Sequence, residues 1–182
     1  QKTVLAGSFS MEAIGALILT LYFWPQYGFG TALKWGVFHS ISAFCNAGFD
    51  IFGSMTPGVS LMEFQSDPFV LITLSLLIII GGLGFLVWEE VARIKRFKKF
   101  SAYTKLVLLT TLVLLLGGTL GICALEWNNP GTLGSMHWTD KLLNGFFQSV
   151  SMRTAGFFSV DQGLLTDGGK GLSILLMFLG GA

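Results

Sequence analysis

The sequence predicts an all-α membrane protein assembled from repeated units, each a span, a re-entrant pore helix with its filter loop, and a second span. Three observations carry that expectation. Of the 182 residues 52% are hydrophobic and only 12% charged, against about 25% charged in an average soluble domain. The apolar residues are gathered into runs of membrane-crossing length. And one phrase, Phe38-His39-Ser40-Ile41-Ser42-Ala43-Phe44-Cys45-Asn46-Ala47-Gly48-Phe49, returns altered as Phe147-Gln148-Ser149-Val150-Ser151-Met152-Arg153-Thr154-Ala155-Gly156-Phe157.

The first apolar run, Thr3 to Trp24, holds one ionisable residue, Glu12. At about 1.5 Å per residue it crosses a hydrocarbon core of about 30 Å. Tyr22, Trp24 and Tyr27 form an interfacial aromatic belt, and Pro25 with Gly28 and Gly30 is expected to end the helix. Thr31 to Phe44 is apolar but too short to span, so it reads as the first pore helix. Asp50 to Pro68 is polar and reads as a solvent-facing loop. Phe69 to Trp88 contains no charge and reads as the clearest span. The basic stretch after it, with Arg93, Lys95, Arg96, Lys98 and Lys99, places that end in the cytoplasm by the positive-inside rule. The Asp50 to Pro68 loop is then extracellular and Gln1 cytoplasmic. Lys105 to Leu125 reads as the third span, with Glu126 and Trp127 at its outer end and Asn128-Asn129-Pro130-Gly131 as an outside turn. Thr139 to Met152 reads as the second pore helix, capped by Thr139 or Asp140. After a polar loop through Asp161, Asp167 and Lys170, Gly171 to Ala182 begins a fourth span.

The plan therefore occurs once whole, in residues 1–100, and once cut short, in residues 101–182. The copies are unequal: Gly48 and Gly156 lie 108 residues apart, whereas Phe38 and Phe147 lie 109 apart. The first apolar stretch has no cleavage site for a leader, and the chain runs from Gln1 to an apolar ending, so it reads as a piece of a longer polypeptide.

Non-helical backbone at membrane depth is tolerated only where protein buries it or where it lines a watery path. In cation channels carbonyl oxygens replace the ion's hydration shell, and glycine permits the backbone angles that aim them. A short helix ahead of such a loop also turns its negative C-terminal end toward the path. Both phrases supply these parts, so the reading is passage of a monovalent cation. One glycine per turn implies fewer formed ion sites and looser selectivity than a TVGYG filter. Net charge is +1 and the basic residues are few and local, which argues against nucleic acid. Cys45 and Cys123 read as free thiols, and no His/Cys spacing suggests a metal site. No Ser/His/Asp set or paired acids suggest an enzyme. No covalently bound cofactor is expected.

The phrases from His39 to Phe49 and from Gln148 to Phe157 resemble the second and third pore loops of the Ktr/Trk/HKT potassium transporter superfamily, most closely those of the membrane subunit of bacterial Ktr systems. The resemblance covers essentially the whole chain, the one-residue inequality included. It implies four such repeats around one pore in a multi-pass protein of the plasma or inner membrane. It also implies a homodimer, uptake of potassium with help from sodium, and gating by a cytoplasmic nucleotide-binding subunit. Gly48 and Gly156 would be filter glycines, with Cys45, Asn46, Ala47, Arg153, Thr154 and Ala155 completing the filter loops. Potassium would be held at Asn46, Gly48, Thr154 and Gly156. Gly180, Gly181 and Ala182 would begin an intramembrane gate. With two of four repeats, this stretch alone is not expected to conduct. Two other readings remain at this stage: a two-loop cation channel completed by dimerisation, and a non-conducting membrane scaffold.

Single residues carry their own expectations. Arg153 is expected behind the filter, bonded to carbonyls or to an acid such as Asp50 or Asp161. Glu12, an intramembrane acid, is expected to be satisfied between helices more than to bind an ion. His39 reads as a buried structural histidine. At Asn46 and Thr154 the carbonyls, more than the side chains, are expected to line the filter. Asp50 could concentrate cations outside it. Gly117 with Gly121, and Gly81, Gly82 and Gly84, read as helix-packing surfaces. The Arg93 to Lys99 cluster could meet anionic lipid or a cytoplasmic partner.

Overall fold

The computed structural model describes residues 2–52, 59–94 and 96–180, with side chains from Leu5 onward. Among them all regular structure is helical: α1 Lys2–Tyr27, α2 Phe29–Phe44, α3 Pro68–Leu83, α4 Phe85–Ile94, α5 Ala102–Glu126, α6 Trp138–Thr154 and α7 Asp167–Gly180, with short 3-10 turns in the connections.

Helix α1 does not stop at Pro25. It carries the proline inside its last turn and ends at Tyr27, where Gly28 takes φ 77°, a conformation only glycine adopts cheaply. In the last turn proline removes the N–H that would bond the carbonyl four residues back and its ring crowds that carbonyl, and the helix runs only two residues farther. Helix α2 then folds straight back: Phe23 meets Trp35 edge-on at 5.7 Å, and Ser40 reaches the Glu12 carbonyl. Numbers that rise on one helix fall on the other, so the pair is antiparallel. At 16 residues α2 is about 24 Å long, and its C-terminal end stops beside the middle of α1. Helices α5 and α6 repeat the hairpin, with Lys141 at the Trp127 end of α5 and Ser149 at Leu115.

The expected continuous span from Phe69 to Trp88 is corrected. Asp67 caps α3, its carboxylate accepting from the Phe69 and Val70 amides, and Pro68 occupies the first turn where its missing N–H costs nothing. The helix ends at Leu83. Gly84 takes φ 78°, and α4 leaves at 96°. Apolar composition hid this break, because nothing in a charge-free run distinguishes a straight helix from a bent one except the glycine itself. Helix α5 begins three residues before the expected Lys105, with Ser101 as its cap accepting from the Thr104 amide. Helix α6 is preceded by His137, with no side-chain cap, so the expected capping by Thr139 or Asp140 is also corrected. The Thr139 hydroxyl lies 2.9 Å from His137 Nδ1 instead. Helix α7 starts at Asp167, four residues before the expected Gly171.

Helices α1 and α5 are each long and apolar enough to cross a membrane, and α3 with α4 is a third crossing if the bent pair is one span. Their outward faces are lined with exposed Leu5, Phe9, Leu17, Leu106, Leu112 and Leu120, which suits lipid rather than water. Inside, one core joins both repeats: Leu19, Trp35, Leu74, Phe147 and Phe157 belong to a single buried cluster. Phe23 is its hub, with Phe52 and Phe64 edge-on at 5.9 and 5.6 Å. Such edge-to-face contacts add to plain burial.

Candidate functional site

Helices α2 and α6 are each fastened by the same three side-chain positions. The first serine holds the helix to the preceding span: Ser40 Oγ donates to the Glu12 carbonyl at 2.7 Å, and Ser149 Oγ to the Leu115 carbonyl at 3.0 Å. A glycine stands opposite each one. A Cβ on Gly15 would fall on the Ser40 hydroxyl, and one on Gly118 on the Ser149 hydroxyl. The second serine holds the glycine turn that follows the helix: Ser42 Oγ donates to the Phe49 carbonyl at 2.7 Å, and Ser151 Oγ to the Phe157 carbonyl at 2.6 Å. The third position holds the segment beyond the turn. His39 accepts the Ile51 amide at Nε2 (3.3 Å) while Nδ1 lies 2.7 Å from the Trp35 carbonyl. Both contacts are satisfied only by the neutral tautomer protonated at Nδ1. Its counterpart Gln148 donates to Ser159 Oγ at 3.4 Å and accepts from Gln162 at 3.0 Å. His39 is fully buried and stacked on Phe52, with ring centroids 3.9 Å apart, in keeping with a structural role.

The turns themselves are unequal for a visible reason. Helix α6 stays helical to Thr154, two residues before Gly156, whereas α2 ends at Phe44, four before Gly48. The extra residue of the first loop is taken up at Asn46, which adopts φ 52°. Asparagine is among the few residues that enter this region without large cost. Gly48 and Gly156 follow at φ 69° and 89°.

The two loops meet. A Cβ on Gly48 would land on the Ala155 carbonyl oxygen, and the Thr154 hydroxyl donates to Asn46 Oδ1 at 3.0 Å. Gly156 faces the other way, with nothing within 4 Å of a Cβ placed there. Cys45 and Ala47 are exposed and Ala155 is buried. Helices α2 and α6 both end at this junction and turn the negative ends of their dipoles toward it.

Behind each loop the return helix approaches on a glycine. Gly81 leaves no room for a Cβ beside the Phe44 carbonyl, and Gly180 lies against the Arg153 main chain, whose oxygen is 2.7 Å from such a Cβ. Gly180 thus does for α7 what Gly81 does for α3. Gly181 and Ala182, the remainder of the expected gate, lie outside the described residues.

Arg153 is half-buried, and its Nε is buried without a partner. The expected bond to carbonyls or to an acid such as Asp50 or Asp161 is absent among the described residues, and the Asp161 carboxylate instead accepts from the Gly163 amide at 2.8 Å. The arginine borders a cavity of about 200 Å³ between α3, α5, α6 and α7, lined also by Gly82, Thr110, Thr111 and Gly180. Glu12 is half-buried, with Cys45 Sγ 3.6 Å from its carboxylate. Asp50 is half-buried just beyond Phe49. Of the suspected glycine pair on α5, Gly121 packs against Leu172 but Gly117 faces open space; Gly118 is the second packing position.

Sequence reading missed the serines, Gln148 and Glu126. The serines carry a usable signal, since Ser40 and Ser42 recur 109 residues later as Ser149 and Ser151. Glu126 is fully buried at the outer end of α5. Its carboxylate accepts from Asn129 (2.7 Å), from the Thr132 hydroxyl (2.8 Å) and from the amide and hydroxyl of Thr166 (3.0 and 2.6 Å). It ties the turn after α5 to the loop that precedes α7. Among the described residues no group of three or more His, Cys, Asp or Glu could hold a metal ion.

Residues 2–182 match the TrkH family, described as cation transport protein. The chain is 44% identical over 179 residues to Ktr system potassium uptake protein B of Bacillus subtilis, covering 98% of this chain and 39% of that protein. It is 42% identical over 181 residues to the protein of the same name from Vibrio alginolyticus (98% and 39%). To potassium/sodium uptake protein NtpJ of Enterococcus hirae it is 38% identical over 171 residues (94% and 37%). The chain thus spans about two-fifths of the length of these relatives.

Proposed function

The chain belongs to the TrkH family of cation transport proteins, a family of transporters and not of enzymes, and from that premise we propose that it supplies two walls of the selectivity filter of a potassium-uptake protein. One observation carries the reading: two re-entrant helices end at glycine turns that touch, Gly48 against the Ala155 carbonyl and Asn46 bonded to Thr154. Carbonyl oxygens of Asn46, Gly48, Thr154 and Gly156 take the place of the water around a potassium ion. Cys45, Ala47, Arg153 and Ala155 complete the two loops. The names of the relatives, two for potassium uptake and one for potassium and sodium, support potassium as the ion and sodium as a companion.

In this reading residues 1–100 and 101–182 are two pore-loop repeats, and further repeats of the same kind close the ring. Gly180, Gly181 and Ala182 open the small-residue segment that gates the path beneath the filter. The whole protein is a homodimer controlled by a cytoplasmic nucleotide-binding subunit. Growth rescue of a potassium-uptake-deficient strain by the full-length protein tests the filter. Rescue at low potassium that is lost with Gly156→Ser, while the protein still reaches the membrane, is the expected result. Rescue that survives both Gly48→Ser and Gly156→Ser overturns the assignment.

A further inference from the structure

The break at Gly84 leaves a second feature that ion passage does not use. Helix α4 lies at 96° to α3, so where α3 stands upright in the membrane α4 runs along its surface. Its residues sort onto two faces at helical spacing. Val87, Trp88, Val91 and Ile94 share one, and Glu89, Glu90 and Arg93 the other. The apolar face is seated in the fold: Val87 is buried, and Trp88 lies against Gly7 of α1. At its start Phe85 and Leu86 are exposed, and beyond its end Phe97 is 59% exposed. Leu76 on α3 and Leu106 and Leu109 on α5 are exposed as well.

Positive charge is concentrated beside this apolar strip. Residues 89–99 hold five basic and two acidic side chains. Glu90 is occupied, accepting from the Ser101 amide and hydroxyl at 2.7 Å each and from the Thr104 hydroxyl. That bracket ties α4 to the start of α5 and fixes the basic turn between them. Arg93, Arg96, Lys98 and Lys99 are exposed. Arg96, Lys98 and Lys99 make no side-chain hydrogen bond or ion pair among the described residues.

We infer that α4 and the basic turn after it form a binding site for anionic phospholipid headgroups at the cytoplasmic face of the membrane. A surface helix with aromatic and aliphatic groups at acyl-chain level and unpaired cations beside them is complementary to that chemistry on both counts. A cytoplasmic protein would match the charge but leave Phe85, Leu86 and Phe97 to lipid regardless. The inference does not depend on which ion the protein carries.

The test is the full-length protein with Phe97→Trp, placed in phosphatidylcholine nanodiscs containing an equal fraction of brominated phosphatidylglycerol or of brominated phosphatidylcholine. The readout is tryptophan quenching above that of the protein without the substitution. Each basic residue near an anionic surface corresponds to about a five-fold preference, so quenching by the glycerol lipid should reach half-effect at roughly one-fifth of the concentration or less. Combined Arg93→Gln, Arg96→Gln, Lys98→Gln and Lys99→Gln should abolish the preference while leaving some quenching. Equal quenching by both lipids in the unneutralised protein overturns the inference, without need of the neutralised variant. So does an absence of quenching, the outcome for a turn covered by protein or held in water. A preference that survives neutralisation overturns the assignment to these four residues. None of these readouts requires transport, so loss of the filter reading would leave them unchanged.

Discussion

The Thr154 hydroxyl donates to Asn46 Oδ1 at 3.0 Å, joining the two glycine turns from opposite repeats. It is a side-chain bond between the two residues that occupy the same place in each loop, and it ties a left-handed residue to the last residue of a helix. The side chains therefore hold the loops together, which in the proposed filter leaves main-chain carbonyls available to an ion. Thr154 is exposed, so Thr154→Val should cost at most about 1 kcal/mol of stability. Its effect belongs on discrimination: the full-length protein is expected to admit sodium more readily, measured as sodium inhibition of rubidium uptake. Unchanged inhibition would mean that the bond does not set loop geometry.

Gly48 and Gly156 should fail differently. A side chain on Gly48 meets the Ala155 carbonyl oxygen, which is backbone and cannot swing aside. Gly48→Ala is therefore expected to lower the yield of folded full-length protein in detergent. Gly156→Ala points its methyl into open space and suffers only the left-handed backbone strain, about 1–2 kcal/mol. It should fold and reach the membrane yet take up rubidium poorly. Size-exclusion profiles and uptake measured side by side distinguish the two. Equal folding of both variants would show that the loops do not touch as described.

How much of this the sequence made legible follows from what each residue has to do. Spans and short helices declared themselves through hydrophobic length, and the repeat pointed to Gly48 and Gly156. The bend at Gly84 stayed hidden because its neighbours are apolar on both sides. Arg153 is expected to bond carbonyls or an acid, but its surroundings are Thr110, Thr111 and Gly180, and contacts between elements distant in sequence are not written in any local pattern. The serines could have been found. Their spacing matches between the repeats, yet a serine in an apolar helix looks like a minor interruption until the carbonyl that it reaches is known.

Ser151→Ala and Ser42→Ala test that fastening. Each removes the hydroxyl donor to the carbonyl after the filter glycine, Phe157 or Phe49. The Phe157 bond is buried, and a buried carbonyl deprived of its partner costs about 1–3 kcal/mol; the Phe49 bond is only part-buried and Ser42→Ala should cost less. The expected outcome is a lower unfolding temperature for both variants, together with reduced potassium-over-sodium preference. Threonine, which keeps the hydroxyl, should restore preference more fully than alanine does. Equal behaviour of alanine and threonine would assign the effect to packing instead of to the bond.

Glu126 makes the outer scaffold testable apart from the filter. Its buried carboxylate receives four hydrogen bonds from three residues, and Gly169 has no side chain because a Cβ there would fall on Oε1. In Glu126→Gln one accepting oxygen becomes an NH2 that faces donors. A loss of roughly 2–4 kcal/mol is expected, since bonds to a charged group are the stronger kind and the site stays buried. Thermal unfolding should show it clearly. In the protein that remains folded, half-saturation for rubidium should be unchanged, because Glu126 lies at the end of α5 and not at the glycine junction. A raised half-saturation constant at normal unfolding temperature would place it in the ion path after all.

Arg153 carries a charge at membrane depth with no bond to its guanidinium among the described residues, and such a charge is costly unless it is paired. Its backbone is clamped, since Gly180 packs directly on it, so the side chain is aimed into the neighbouring cavity by the fold. Arg153→Gln removes the charge and keeps an amide of similar reach. It is expected to lower potassium uptake and the preference for potassium over sodium in the full-length protein. Arg153→Lys keeps the charge and loses the planar fork. If charge alone matters, lysine restores preference; if the fork holds two carbonyls or a carboxylate supplied by further repeats, lysine behaves like glutamine. Preference unchanged in both variants would remove Arg153 from the filter's support, leaving its main chain, held between Thr154 and Gly180, as the part that the loop needs.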